Sequence, residues 1–513
     1  MSRRVRSVVV LIVSLAGIAT VQAQTTWHVD DDNCPGPGSG TEPDPFCKIQ
    51  DGIDAAVDGD EVVVAAGRYT ETAVNYNGKA IKLLGPEGPE VTIIDGSGSQ
   101  SSVLTCEANL GPETSLEGFT ITGGFFSSGG GFKLGNAAMT VTNCIFTGNL
   151  ATRGGGMFIN GASPIITQCV FSQNTAVTGG GLYVQDSTSS QTITDCTFVD
   201  NWAIGSTDNE DGGGGMKNAS GSTPTVINCT FRSNWALAGG GGMKNHNASP
   251  TVTNCLFVEN SGYGGGMYNY NQAHPVVTNC IFERNNGNKG AGMYNRNSTV
   301  VVRNSIFLRN TALSAGGGLS NFPSATCILS NCTFAENTAG QTGGGMDNFV
   351  INSVLELSNC IVWGNSSPDD QQLSGPAAVA FSDIEGGWEG EGNIDTDPLF
   401  VDPDNDDFHL TADSPCIDAG DPDFIPDEGE TDIDGEARVA GVAVDMGADE
   451  FHNSDGVLCS ADFDGSGNVG AFDLALLLGS WGPCVGCPAD FDFDGDVDAA
   501  DLAELLGSWG PCD

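Results

Sequence analysis

The stretch Asn143-Cys144-Ile-Phe146-Thr-Gly-Asn149, followed by Gly154-Gly155-Gly156-Met157, decides the fold, because its pattern returns at least eight times before Asn365. The unit is Cys, one residue, Phe, two residues, Asn, then a glycine triplet and Met or Leu. It restarts at Cys169, Cys196, Cys229, Cys255, Cys280, Ser305 and Cys332, and a degenerate copy at Cys360 carries Val362 in the Phe slot. Successive starts lie 25, 27, 33, 26, 25, 25, 27 and 28 residues apart. Such a period marks a solenoid, in which one repeat cannot bury its own apolar face and must stack on the next. So many glycines and β-branched residues make poor helices. Short strands at 251–257 and 300–307, broken by Gly and Asn turns, predict instead a coil of about three parallel strands. The expected fold is all-β: a parallel β-helix solenoid, right-handed by the crossover rule.

Eight of the 17 cysteines (Cys144, Cys169, Cys196, Cys229, Cys255, Cys280, Cys332, Cys360) fill one slot of the repeat. Equivalent residues on neighbouring coils stand about 4.8 Å apart with parallel side chains, poor geometry for a disulfide. Ser305 in the same slot says that the position wants a small side chain. The ladder therefore reads as inward, inert thiols. The net charge of −47 is unevenly spread: −10 over residues 1–126, −1 over 127–366 and −36 over 367–513. The barrel is nearly neutral and the acidity sits at the C-terminal end, which excludes a nucleic-acid partner.

Residues 1–23 read as a signal peptide, with Arg3, Arg4 and Arg6, an apolar run at 8–21 and Val21-Gln22-Ala23 as the cleavage site, so a secreted or cell-surface location is expected. That run is too short to span a bilayer, and no transmembrane segment is expected. Residues 24–126 read as the N-terminal cap and first coils, 127–366 as the repeat coils, 367–453 as an acidic C-terminal cap segment, and 454–513 as a duplicated module. Cys34 and Cys47 flank a Pro/Gly loop and are expected to pair. Residues 49–57 read as a short amphipathic helix over the open end of the solenoid. Strands are expected at 60–64, 80–84, 91–94 and 116–121. The opening run Asp44-Pro-Phe…Ile49-Gln50-Asp51-Gly-Ile53…Gly59-Asp60-Glu-Val-Val…Gly67-Arg-Tyr69-Thr-Glu71 resembles the start of pectate-lyase-like secreted β-helix proteins. The repeat over residues 119–365 resembles the polymorphic outer-membrane protein repeat, which implies fold and surface placement. Asp397-Pro398-Leu-Phe400, Phe408-His-Leu410, Ser414-Pro415-Cys-Ile-Asp418-Ala-Gly420, Asp432-Ile-Asp434-Gly435…Arg438 and Asp445-Met-Gly447-Ala-Asp-Glu450 resemble the closing segment of choice-of-anchor Q proteins. That resemblance implies a cap followed by an attachment module.

The module repeats itself: Cys459-Ser-Ala-Asp-Phe-Asp…Gly-Ser-Trp481-Gly-Pro-Cys484 recurs as Cys487-Pro-Ala-Asp-Phe-Asp…Gly-Ser-Trp509-Gly-Pro-Cys512. Asp462, Asp464, Ser466, Gly467, Asn468 and Asp473 fall at positions 1, 3, 5, 6, 7 and 12 of an EF-hand-type loop, and so do Asp490, Asp492, Asp494, Gly495, Asp496 and Asp501. Alternate oxygens converging on one hard cation predict two calcium sites, each leading into a short apolar helix (474–478 and 502–506). Antiparallel helices would favour Cys459–Cys512 and Cys484–Cys487 pairing. A loop plus one helix, given twice, resembles a type I dockerin, which implies a cohesin-like partner. Ala471-Phe472 and Ala499-Ala500 replace the Ser-Thr that dockerins usually offer that partner.

After each glycine triplet, strand alternation puts Met267 and Asn269 inside with Tyr268 and Tyr270 outside. Stacked over coils, the inner slot predicts an amide ladder of Asn218, Asn245, Asn269, Asn295, Asn321 and Asn348. The outer slot predicts an exposed row of Phe158, Tyr183, Lys217, Lys244, Tyr268 and Tyr294, with His246, Tyr270 and Arg296 beside it. Aromatic faces interleaved with cations suit a polysaccharide or cell-surface glycan; ordinary exposed strand surface is the plain alternative. Acids on the repeat (Asp186, Asp195, Glu259, Glu283, Glu336, Asp347, and Asp208-Asn-Glu210-Asp211) show no pairing suited to two-carboxylate catalysis. The expectation is therefore a non-catalytic binding protein. The alternative is a polysaccharide lyase or glycoside hydrolase delivered by the same module.

Overall fold

The computed structural model describes residues 24–108, 110–185, 190–207, 211–349, 352–369, 371–452, 468–483, 489, 496–507 and 509–511. The leader, and the four module cysteines Cys459, Cys484, Cys487 and Cys512, lie outside them.

One coil shows why the repeat folds as it does. In residues 252–269, Val252, Cys255, Phe257, Asn260, Met267 and Asn269 all point inward and are buried. The strand expected at 251–257 is two, Thr251–Thr253 and Leu256–Val258, because Asn254 sits in the left-handed region at φ 52° and turns the chain. The same turn divides the strand expected at 116–121, where Gly118 has φ 81°. Asn recurs before the cysteine because it tolerates this conformation better than other side chains. A second left-handed residue, here Glu259, precedes the buried Asn of each repeat.

Stacking coils produces a bent 25-stranded parallel sheet, a 12-stranded sheet after the glycine triplets, and a narrow flank. The flank is five strands (Phe125–Ser128, Leu150–Arg153, Thr175–Thr178, Trp202–Ala203, Trp235–Ala236) followed by three more (Asn286–Lys289, Thr311–Ala315, Thr338–Ala339). Every slot repeats along the axis. Phe146, Phe171, Phe198, Phe231, Phe257, Phe282, Phe307 and Phe334 stack with centroids 4.3 to 4.9 Å apart. The last glycine of the triplet is fixed by crowding: a Cβ on Gly242 would lie 2.6 Å from the Gly266 carbonyl and 3.0 Å from the Phe257 ring.

The cysteine ladder is buried and unpaired. Each thiol donates to the carbonyl two residues upstream, as Cys255 does to Thr253 at 3.2 Å, while the Cys255 amide reaches the Cys280 sulfur at 3.4 Å. Ser305 and then Ser382 continue the column, accepting the amides of Cys280 and Cys360. The expected Asn ladder is present from Asn218 through Asn321, with Nδ2-to-Oδ1 bonds of 2.8 to 3.0 Å, but it stops short of Asn348. That residue is buried in register, while Asn321 Nδ2 donates to the Val354 carbonyl and Asn348 Nδ2 to the Pro376 carbonyl. A second ladder runs from Asn149 through Asn174, Asn201, Asn234, Asn260, Asn285, Asn310 and Asn337 to Asn365.

At the N-terminal end, Cys34 and Cys47 are joined. Helix α1 (Ile49–Ala55) covers the barrel mouth with Ile49 and Ile53, and its first amides are held by Glu71 at 2.6 and 3.1 Å. At the other end residue 394 bridges onto Asp383 over the last coil. Residues 397–451 then turn back along the bent sheet instead of staying at the open end. Arginines of the barrel draw this acidic strap in: Arg284 and Arg309 pair with Asp406, and Arg303 with Asp427 at 3.0 Å. Turn asparagines fasten it as well, Asn279 donating to the Asp432 carbonyl at 2.6 Å and Asn304 to Glu430 at 3.0 Å. In the module, helices α2 (Ala471–Gly479) and α3 (Ala499–Gly507) share a small core of Val469, Leu477, Val497 and Leu505. Val469 pairs with Gly510, and Gly482 with Val497, both antiparallel, so each half pairs with the far end of the other.

Candidate functional site

The row expected to face water does not. Lys217, Lys244, Tyr268 and Tyr294 do point away from the barrel interior, but all four are buried, and Phe158 and Tyr183 nearly so. The reason is the arm before each glycine triplet, which doubles over the sheet. Tyr263 on that arm lies 6.3 Å from the Tyr268 ring and 5.3 Å from Tyr294, and Lys244 Nζ donates to the Asp211 carbonyl. Cations and aromatics do interleave: Lys217 lies 5.3 Å over Tyr183 and Lys244 5.1 Å over Tyr268. This is a covered cation–π column serving stability. His246, Tyr270 and Arg296, two positions further along their strands, remain partly exposed. His246 packs 5.3 Å from the Tyr270 ring, and Arg296 lies 5.4 Å over it.

A different surface gathers exposed aromatics. On the flank sheet, Phe125, Leu150, Thr175, Trp202 and Trp235 occupy one register, one per coil. Alternation buries Ala176, Ala203 and Ala236 beneath them and turns the large side chains out. Trp202 is 53% exposed, and the two indoles lie 6.1 Å apart at 57°. A groove of about 390 Å³ beside Trp202 is lined by Gln173, Thr175 and Asp200. Another of about 370 Å³ beside Trp235 is lined by Leu237, Ser261, Tyr263, Asn286 and Asn288 among others. The sequence signal is Asn-Trp-Ala, at 201–203 and again at 234–236, which opens on the buried ladder Asn of the repeat. It occurs only twice, too rarely to stand out as part of the repeat.

Of the expected calcium ligands, Asp462, Asp464, Ser466, Asp490, Asp492 and Asp494 lie outside the described residues, and Asn468 and Asp496 are described for their backbone only. The two position-12 acids are described. Asp473 and Asp501 are each 1% exposed at the first turn of an apolar helix, and they accept the Gly470 and Asp498 amides at 2.8 Å. One buried carboxylate at the start of each helix is the oxygen-donor chemistry that a hard cation takes.

The model for "Right handed beta helix region" matches residues 94–231 and 215–381, more than half of the chain. The chain belongs to the right-handed β-helix family. Similar solved structures include the pectate lyase Pel9A (15% identity, covering 84% of this chain and 98% of that one, TM-score 0.38). Others are XylC with xylose (11%, 73% and 87%, 0.37) and the PL6 family alginate lyase AlyGC (14%, 70% and 54%, 0.36). No curated protein matches the chain. Among the described residues, no helix is long and apolar enough to cross a membrane.

Proposed function

We propose that this is an exported, non-catalytic β-helix that binds polysaccharide through the flank sheet and carries a calcium-stabilised, dockerin-like attachment module. The observation that carries the binding reading is the neighbouring indoles of Trp202, exposed, and Trp235, half-buried, with grooves of mixed polar and apolar lining beside them. Flat aromatic faces bordered by amides and hydroxyls match a pyranose ring, which offers C–H groups on its faces and hydroxyls around its rim. One side chain per coil, about 4.8 Å apart, suits an extended glycan running along the axis. Asp200 is the one charged residue among those described lining the two grooves. A neutral glycan therefore fits better than a polyuronate, and a lone carboxylate supports binding over bond cleavage. The arginine-rich leader supports export, and the duplicated loops support calcium and a dockerin-like attachment role, while Ala471-Phe472 and Ala499-Ala500 argue against a standard cohesin partner.

The test is a neutral-polysaccharide array scored for retention and for product release together. Wild type should be retained without releasing product, and Trp202→Ala should lose at least tenfold in affinity with an unchanged melt, because its indole is exposed, while adding Trp235→Ala, at a half-buried indole, should weaken binding further. Equal retention of the double variant would sink the flank assignment, and released oligosaccharide would sink the non-catalytic one.

A further inference from the structure

Within the acidic strap, three segments separated in sequence converge on one imidazole. His409 lies on the strand Asp407–Leu410, Asp434 in the turn between the bridged residues Thr431 and Ala437, and Asp449 near the strap's end. One imidazole nitrogen and one carboxylate oxygen from each acid lie within 4.8 Å of one another. Nε2 faces Asp434 Oδ2 at 2.9 Å, while Nδ1 is held by Asp407 Oδ1 at 2.6 Å. Asp449 is only 5% exposed, with one oxygen accepting the Leu410 amide at 2.8 Å. The three groups edge a cavity of about 160 Å³ floored by Ile281, Ile306, Leu308 and Phe408.

We propose that His409, Asp434 and Asp449 form a binding site for a zinc-type divalent ion, which ties the three strap segments together over the bent sheet. Two features of the arrangement carry this. The first is the orientation of the imidazole: a metal-binding histidine nearly always donates its other ring N–H to a carboxylate, a backbone carbonyl or water, and the Asp407 carboxylate stands in that place. The second is charge. Asp407, Asp434 and Asp449 surround a single imidazole, and Asp449 is held away from water, an arrangement that a dication relieves and one imidazolium satisfies only in part. One nitrogen and two carboxylate ligands suit zinc, leaving a fourth position open to the cavity, whereas calcium takes oxygen ligands. On binding, Nε2 releases its proton to solvent and its lone pair goes to the metal; Nδ1 keeps its proton and its bond to Asp407.

The test is titration of the full-length protein with zinc chloride in saturating calcium, so that the C-terminal loops are filled. Heat and melting temperature are read together, and cobalt(II) replaces zinc for absorption spectra. One zinc should bind per chain, the melt should rise, and cobalt should give the intense visible bands of a four-coordinate site. His409→Gln and Asp449→Asn should each weaken binding at least 100-fold, and Asp407→Asn by roughly 10- to 100-fold as a positioning residue. Should either variant fail to fold, Asp434→Asn, at a half-exposed residue, serves in its place. Absence of a zinc-dependent shift in wild type would overturn the assignment, as would unchanged uptake in the folded variants.

Discussion

At the scale of single residues the barrel consists of columns of one side chain each, and the chemistry of each column follows from its isolation. Burial pushes the Cys255 and Cys332 thiols well above their ordinary range, so the reactive thiolate is scarce. Native protein should therefore resist alkylation over hours and label at the ladder positions only in denaturant, read by peptide mass spectrometry. Rapid native labelling of Cys255 would contradict its place in the column. Asp383 gives a pH-dependent counterpart. It is buried under the last coil, accepting from Thr396 and Cys416, and burial raises its carboxyl to about 6 from an ordinary 3.8. The folded state then binds this proton more tightly than the unfolded chain does. Its contribution to stability is full below pH 4 and is lost as pH rises through 6. Asp383→Asn, which keeps an acceptor, should be more stable than wild type at pH 8, by up to about 3 kcal/mol, and show no advantage at pH 4. A constant offset between the two melting curves from pH 4 to 8 would refute this.

At the scale of the coil, the Phe stack and the two Asn ladders are the interactions that each repeat shares with its neighbours. Phe257→Ala should cost about 3–5 kcal/mol, since neighbouring rings at 4.7 Å cannot collapse into the gap without breaking register. Chemical denaturation checks it; a loss under 1 kcal/mol would mean that the column relaxes freely. Stacking also explains which features were legible in the sequence. Where one slot meets its own copy above and below, side-chain identity repeats, and the Cys, Phe and inner Asn slots could be read directly. Strand alternation gave the side on which Tyr268 and Lys244 lie, but not the arm carrying Tyr263 that folds over them, because that arm keeps no fixed residue type. The Trp202–Trp235 pair is not legible in the repeat for the opposite reason: a surface slot is free to vary, so only two coils carry the indole. The strap's motifs were visible, whereas its path depends on pairs such as Arg303 with Asp427, 124 residues apart, which no local pattern records.

At the scale of the whole molecule, a nearly neutral barrel carries its acidity in the strap and the module. The module's sequence is rich in acids, so mutual repulsion in the absence of a cation should loosen it. In calorimetry of the full chain, calcium should raise one small transition and leave the large barrel transition in place, and chelator should abolish only the first. A calorimetric trace indifferent to chelator would remove the calcium sites. The strap has a further consequence, mechanical in kind. It is pinned at Asn279, Asn304, Thr333 and Asn359, one point on each of several successive rungs, so it runs beside the C-terminal coils as a splint. A rod drawn out by its two ends should consequently fail in order. The unsplinted N-terminal coils should peel away one rung at a time at low force, and the splinted section should hold until its fastenings shear together.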